Sequence, residues 1–93
     1  MAKELVIFYM EGCPYCRAAK RAVEQLKKEN SEYARARITW IDEQKDTKTA
    51  ESYDYYYVPS VFSGKEKLYE AHPSDSDEII YSHLKECLEY AMK

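Results

Sequence analysis

Two cysteines separated by two residues, Cys13 and Cys16, are the side chains of this sequence best suited to chemistry. They sit in Gly12-Cys13-Pro14-Tyr15-Cys16-Arg17, directly after the apolar run Leu5-Val6-Ile7-Phe8-Tyr9 and at the start of a stretch with helical spacing. A strand, a tight turn and a helix are predicted in that order. Cys13 falls at the helix N-cap and Pro14 at the first helical position, where a missing N–H costs nothing. Unpaired N–H groups of the first turn and the positive end of the helix dipole then face the Cys13 sulfur. Such a setting favours the thiolate, the reactive form; a free thiol ionises near pH ~8.5, and helix N-termini or neighbouring cations bring that down to roughly 3.5–7.5. Arg17, one helical turn on, adds positive charge. Cys16 lies on the same helix edge, within reach of a disulfide to Cys13. Cys13 is expected to be open to solvent, and Cys16, already inside the helix, to be the less exposed of the two.

Zinc is the competing use of Cys-x-x-Cys. A structural zinc site takes four ligands, yet there is no second Cys-x-x-Cys, and His72, His83 and Cys87 are scattered. No metal is therefore expected. Cys87 falls on the apolar stripe of the last predicted helix and reads as a core residue, since free cysteine is among the most buried residue types. His72 reads as a surface loop residue and His83 as a helix-face residue, neither with a catalytic role.

The elements that position the cysteines follow in order. Lys3–Tyr9 reads as a buried strand. A helix from Pro14 to about Asn30 carries Ala19, Ala22, Val23 and Leu26 as its apolar stripe, with Arg17, Lys20, Arg21, Lys27 and Lys28 mostly outside it. Arg35–Asp42 reads as a second strand, so the first half is a βαβ unit with parallel strands. Gln44 to about Tyr53 is polar and predicts a short, mostly exposed helix. Val58–Ser63 has strand composition with a proline near its start, and Lys67–Ala71 pairs with it as an antiparallel hairpin through a turn at Gly64. The last helix starts near Pro73–Glu78, where Asp75 or Ser76 is the predicted cap and Asp75-x-x-Glu78 has the form of a capping box. Ile80, Leu84, Cys87 and Ala91 share its apolar face. Tyr53 to Tyr57 form an aromatic cluster, with Tyr53 inward and at least one of Tyr55 and Tyr56 outward, and the cluster has the composition of a docking rim for a protein partner.

Ninety-three residues with 17 acidic and 14 basic side chains, formal net charge −3, suit one domain over residues 1–93. That balance gives no general electrostatic case for nucleic acid or an anionic membrane. The apolar run near the N-terminus is too short for a signal peptide, and nothing approaches the about 20 apolar residues of a spanning helix. A cytoplasmic protein is expected, and two of its three cysteines in Cys-x-x-Cys suit a working redox pair better than a disulfide framework.

The order β-α-β-α-β-β-α, with Cys13-Pro14-Tyr15-Cys16 opening the first helix and Tyr57-Val58-Pro59-Ser60-Val61-Phe62 at the third strand, resembles the glutaredoxin family over essentially the whole chain. The resemblance implies an α/β, thioredoxin-like fold with a four-stranded mixed sheet flanked by helices. It also implies a cis Val58-Pro59 bond beside the nucleophilic cysteine, with the neighbouring backbone pairing with bound glutathione or peptide as an added strand. Tyr15, Arg17, Tyr57, Val58, Pro59, Ser76 and Asp77 match the substrate- and glutathione-binding positions. Three features depart from the family. Met10 stands where lysine or arginine is common, the Gly-Gly before the last helix is absent, and Tyr57 replaces a threonine.

What the resemblance implies is a small glutathione-dependent thiol–disulfide oxidoreductase. Cys13 attacks a substrate disulfide to give a mixed disulfide. Cys16 resolves it when the substrate is a protein disulfide, and a second glutathione does so when the substrate is glutathionylated. Glutathione is then the co-substrate, no bound cofactor is needed, disulfide-containing or glutathionylated proteins are the partners, and the protein is a monomer. Two alternatives stand beside it. One is a thioredoxin-like reductase recharged by a protein reductase. The other is a dimer binding an iron–sulfur cluster through Cys13 and glutathione, which Pro14 disfavours.

Overall fold

Alternation along the first apolar run sets the architecture. In Glu4–Tyr9 (β1), Leu5 and Ile7 point to one face and Phe8 to the other, and all three are fully buried, so the sheet is covered on both sides. The computed structural model describes residues 3–93; Met1 and Ala2, counted in the predicted domain, lie outside the described residues. β1 pairs in parallel with Arg37–Asp42 (β2) and antiparallel with Ser60–Ser63 (β3), and Glu66–Glu70 (β4) closes on β3. The strand order is β2-β1-β3-β4, the mixed four-stranded sheet that was expected.

One face packs on two helices, Pro14–Glu29 (α1) and Asp77–Ala91 (α3). Leu5, Ile7 and Val61 meet Ala19, Ala22, Val23 and Leu26 of α1 and Ile80, Leu84, Cys87 and Ala91 of α3, all buried in one cluster. Both predicted stripes therefore face the sheet. The opposite face carries Phe8 and Phe62, which an aromatic layer covers. Tyr53 meets Phe8 at 4.8 Å and Phe62 at 4.9 Å between ring centroids, and Tyr55 stacks on Phe8 at 4.9 Å. The short helix Thr47–Glu51 (α2) buries none of its own residues. Its neighbours Tyr53 and Tyr55 close this side instead.

Several boundaries differ from the sequence expectation, each for a local reason. β2 starts at Arg37 rather than Arg35, because a 3-10 turn at Ser31–Arg35 intervenes, capped by Asn30 Oδ1, which accepts the Glu32 N–H at 3.0 Å. The helix predicted from Gln44 is confined to α2. The Asp42 carbonyl first accepts the N–H groups of Lys45 and Asp46, both at 3.0 Å, and Asp46 Oδ1 then caps the helix through Thr49 N–H at 3.3 Å. β3 starts at Ser60 rather than Val58, since Pro59 has no N–H for the ladder. The hairpin turns at Gly64-Lys65 with φ +60° at Gly64 and no positive φ at Lys65, the pattern of a type II′ turn, so β4 is Glu66–Glu70 rather than Lys67–Ala71. Ser76 caps α3 by accepting the Ile79 N–H at 3.2 Å. The Asp75-x-x-Glu78 capping box is one residue out of register. Asp75 Oδ2 instead accepts the Tyr69 hydroxyl at 2.7 Å and the His72 N–H at 3.0 Å. No helix among the described residues is long and apolar enough to cross a membrane.

Candidate active site

β1 ends at Tyr9, and the chain turns through Met10-Glu11-Gly12-Cys13. Cys13 N–H donates to the Met10 carbonyl at 3.3 Å, and Gly12 has φ +81° at the third position, as a type II turn requires. Cys13 then occupies the helix N-cap in an extended conformation (φ −86°, ψ 118°), with Pro14 as first helical residue, as predicted. Its carbonyl accepts the first intrahelical bond, from Arg17 N–H at 3.1 Å. The Cys13 side chain caps no N–H of α1. Its Sγ lies 4.0 Å from the Val58 carbonyl oxygen, across 45 residues of sequence. The Val58-Pro59 bond is cis, as the resemblance implied. Cys13 is only 8 % exposed, which corrects the expectation of an open sulfur; the Val58 carbonyl lies against it.

Cys16 is deeper, at 2 % exposure, in the predicted order. Burial pushes its thiol up to about 12; a backbone hydrogen bond at Met10 opposes this, while the hydrogen bond and charge of Cys13 and the charge of Glu43 add to it. At neutral pH Cys16 is therefore a neutral thiol. All three cysteines are free, and Cys87 lies in the core as expected, its thiol also pushed up to about 12 by burial.

The other predicted residues fall in three groups. Val58 and Pro59 are at Cys13, with Val58 half-buried and Pro59 buried. Tyr57 precedes them, 50 % exposed, its carbonyl accepting from Ser60 Oγ at 2.5 Å. Tyr15 and Arg17 flank the cysteines on α1. The Tyr15 hydroxyl donates to the Pro73 carbonyl, tying α1 to the loop before α3. Arg17 is exposed and lines a crevice of about 90 Å³ with Tyr9, Met10, Glu11, Gly12, Cys16 and Lys20. Lys20 lies over the rings of Tyr9 and Trp40, at 4.3 and 5.5 Å from their centroids. Ser76 and Asp77 belong to the start of α3, where Ser76 is the cap and Asp77 meets Arg21 of α1 at 3.5 Å in an exposed ion pair.

Sequence reasoning missed Glu70. Its carboxylate accepts the N–H groups of both Tyr56 and Tyr57, next to the Val58-Pro59 segment. A lone glutamate in a short strand carries no sequence signal for such a role. Tyr56 is 90 % exposed, so the outward tyrosine expected in the cluster is this one. A hollow of about 470 Å³ lies over α2, lined by Glu43, Gln44, Thr47, Ala50, Glu51 and three tyrosines, with no thiol in its wall. Reactivity at the cysteines outweighs volume here, so the candidate site is the dithiol. Among the described residues no cluster of three or more His, Cys, Asp or Glu side chains is placed to hold a metal ion.

No family model matches the chain, and no curated protein is significantly similar to it. Solved structures do resemble it. A thioredoxin mutant from Halobacterium salinarum superposes with a TM-score of 0.62 at 23 % identity, over 97 % of this chain and 74 % of that one. The germline-specific thioredoxin Deadhead of Drosophila melanogaster superposes with a TM-score of 0.65 at 19 % identity, over 96 % and 80 % of the two chains. A malarial protein gives 0.62 at 16 % identity, over 92 % and 97 %. The chain thus has the thioredoxin-like α/β fold. At these identities the likeness establishes the fold, and activity has to be argued from the residues.

Proposed function

We propose that this protein is a dithiol thiol–disulfide oxidoreductase acting on protein disulfides, with Cys13 as nucleophile and Cys16 as resolving thiol. The observation that carries the reading is Cys13 at the N-cap of α1, its sulfur 4.0 Å from the Val58 carbonyl and beside the deeper Cys16. Cys16 is a neutral, buried thiol at pH 7, so the first attack falls to Cys13. Cys13 thiolate forms a bond to one sulfur of the substrate disulfide, and the other sulfur leaves as a thiolate. With Cys13 in that mixed disulfide, its charge and hydrogen bond no longer oppose ionisation of Cys16. Cys16 then gives its proton to the substrate thiolate released in the first step and attacks the Cys13 sulfur. A Cys13–Cys16 disulfide forms and the second substrate thiolate departs, so two electrons have passed to the substrate.

An extended substrate would pair with the Val58 backbone beside Cys13, in the manner of an added strand. Tyr15, Arg17 and Tyr57 would form the rim around it, with the buried Pro59 next to Val58 behind them. Glutathione is the proposed donor that returns the dithiol, on the strength of the Cys-Pro-Tyr-Cys and Val-Pro resemblance. Two departures from the family pattern favour a protein reductase in that role instead: Met10 in place of a lysine or arginine, and the missing Gly-Gly before the last helix. The deciding experiment is reduction of a glutathionylated peptide and of insulin, with glutathione as the only donor, by wild type and Cys16→Ser. Turnover of both substrates by wild type, and of the glutathionylated peptide alone by the variant, supports the glutathione reading. Insulin reduction that needs dithiothreitol or a protein reductase supports the second. No turnover with any donor refutes the oxidoreductase.

A further inference from the structure

Glu70, near the end of β4, faces the segment that leads to Cys13. Its Oε2 accepts the Tyr56 N–H at 2.5 Å and the Tyr57 N–H at 2.6 Å, while Oε1 accepts from Lys67 Nζ at 2.7 Å. Two successive N–H groups converge on one oxygen only where the backbone curls, so the chain bends at Tyr56-Tyr57 instead of running straight into β3. The next residues are fixed too. The Tyr57 carbonyl accepts from Ser60 Oγ at 2.5 Å, and the Pro59 carbonyl accepts from Ala71 N–H at 3.0 Å. Residues 70 and 71 thus grip the chain on both sides of Val58. Val58 itself keeps a carbonyl whose contact is Cys13. The Glu70 side chain is 15 % exposed; burial pushes its carboxyl up, but Lys67 and the two N–H groups outweigh that and hold it below its ordinary range.

We propose that Glu70 is a positioning residue, acting through the Tyr56-Tyr57 backbone to hold the Val58 peptide at the height where an extended polypeptide disulfide can pair with it in front of Cys13. This rests on the oxidoreductase reading above. Glu70 touches no reacting atom, so its loss is felt in polypeptide binding more than in the chemistry.

The test is Glu70→Gln and Glu70→Ala, assayed by insulin reduction with dithiothreitol, with Lys67→Met as control. KM for insulin should rise about tenfold in the Glu70 variants, the scale of one charge-assisted hydrogen bond, with kcat within about threefold. By NMR, the Tyr56 and Tyr57 amides should exchange at least about tenfold faster than in wild type. Lys67→Met keeps both N–H bonds and should leave KM within about twofold. An unchanged KM, equal losses through kcat alone, unchanged amide exchange, or a KM increase in Lys67→Met as large as in Glu70→Gln would each overturn the proposal. Should Glu70→Ala fail to melt cooperatively, Glu70→Gln carries the test. A wild type unable to reduce insulin defeats the oxidoreductase reading instead, and the exchange measurement still decides whether Glu70 holds the segment.

Discussion

Selective alkylation is the sharpest check on the geometry of the dithiol. Iodoacetamide reacts with thiolates, so its rate reports thiolate fraction and access together. Burial and the neighbouring Cys13 raise Cys16 from the ordinary 9.0 to about 12, and Cys16 is 2 % exposed. That shift lowers its thiolate fraction at neutral pH about a thousandfold relative to an unhindered cysteine, before exclusion of the reagent is counted. Reduced native protein should therefore be carboxamidomethylated at Cys13 first, by quenched time points and peptide mass spectrometry at pH 7.5. Cys16 and Cys87 should lag a free-cysteine peptide by about a thousandfold or more. In Cys13→Ser the Cys13 charge and hydrogen bond to Cys16 are removed or weakened, so Cys16 should react faster than in wild type. It should still trail the peptide, because burial is the largest cause of its shift. Native Cys16 reacting within about tenfold of the peptide would show that burial and Cys13 do not hold this thiol neutral.

Three further outcomes are expected. Cys16→Ser should lose insulin reduction by at least about a hundredfold while still forming a trapped mixed disulfide at Cys13, seen as a mass increase on the protein. Stability should fall as pH rises from about 9 to 12. An unfolded Cys87 ionises near the lower value and the native one near the upper, so the native state holds the extra proton across that window and its advantage, up to about 4 kcal/mol, is lost there. Cys87→Val should remove only the Cys87 share of that fall in urea-unfolding profiles, leaving the share due to Cys16, whose thiol is raised over the same window. Phe62→Ala opens the aromatic layer against Phe8 and Tyr53, and should lower unfolding free energy by about 3–5 kcal/mol in urea melts.

How far the sequence led depended on whether the decisive interaction was local. Pro14 after Cys13 announces a helix start because its fixed φ and missing N–H suit one place in a helix, and the structure puts it there. The apolar stripes of α1 and α3 follow from periodicity alone, and Gly64 marks its hairpin by backbone freedom. The misses were of two kinds. Some were side-chain bonds next to the ends of elements. Asn30 accepts the Glu32 N–H and opens a 3-10 turn, and Asp75 accepts from Tyr69 and His72, so that of the two predicted caps Ser76 takes the Ile79 N–H and the capping box is not formed. Others were contacts made far along the chain. Glu70 on the Tyr56-Tyr57 backbone has no local signature, whereas the Val58-Pro59 segment beside Cys13 was legible only through its motif.

The meeting of Cys13 and Val58 nonetheless follows from strand direction. β1 and β3 are antiparallel neighbours, with Phe8 opposite Ser60. The chain leaving β1 must therefore pass the chain entering β3 at the same end of the sheet. A two-residue slip between these strands would carry Val58 roughly 6.6 Å along β1, out of reach of the sulfur. Such a slip is resisted on both faces of the sheet. It would move Val61 from opposite Ile7, which packs toward α1 and α3, and would move Phe62 away from the Tyr53 ring at 4.9 Å. The aromatic layer over Phe8 and Phe62 lies away from the thiols, yet it helps set the register that brings the Val58 carbonyl to Cys13. Phe62→Ala should accordingly raise KM for insulin as well as weaken the fold, even well below its melting temperature. An unchanged KM in a folded variant would mean that β1–β3 register is held without that layer.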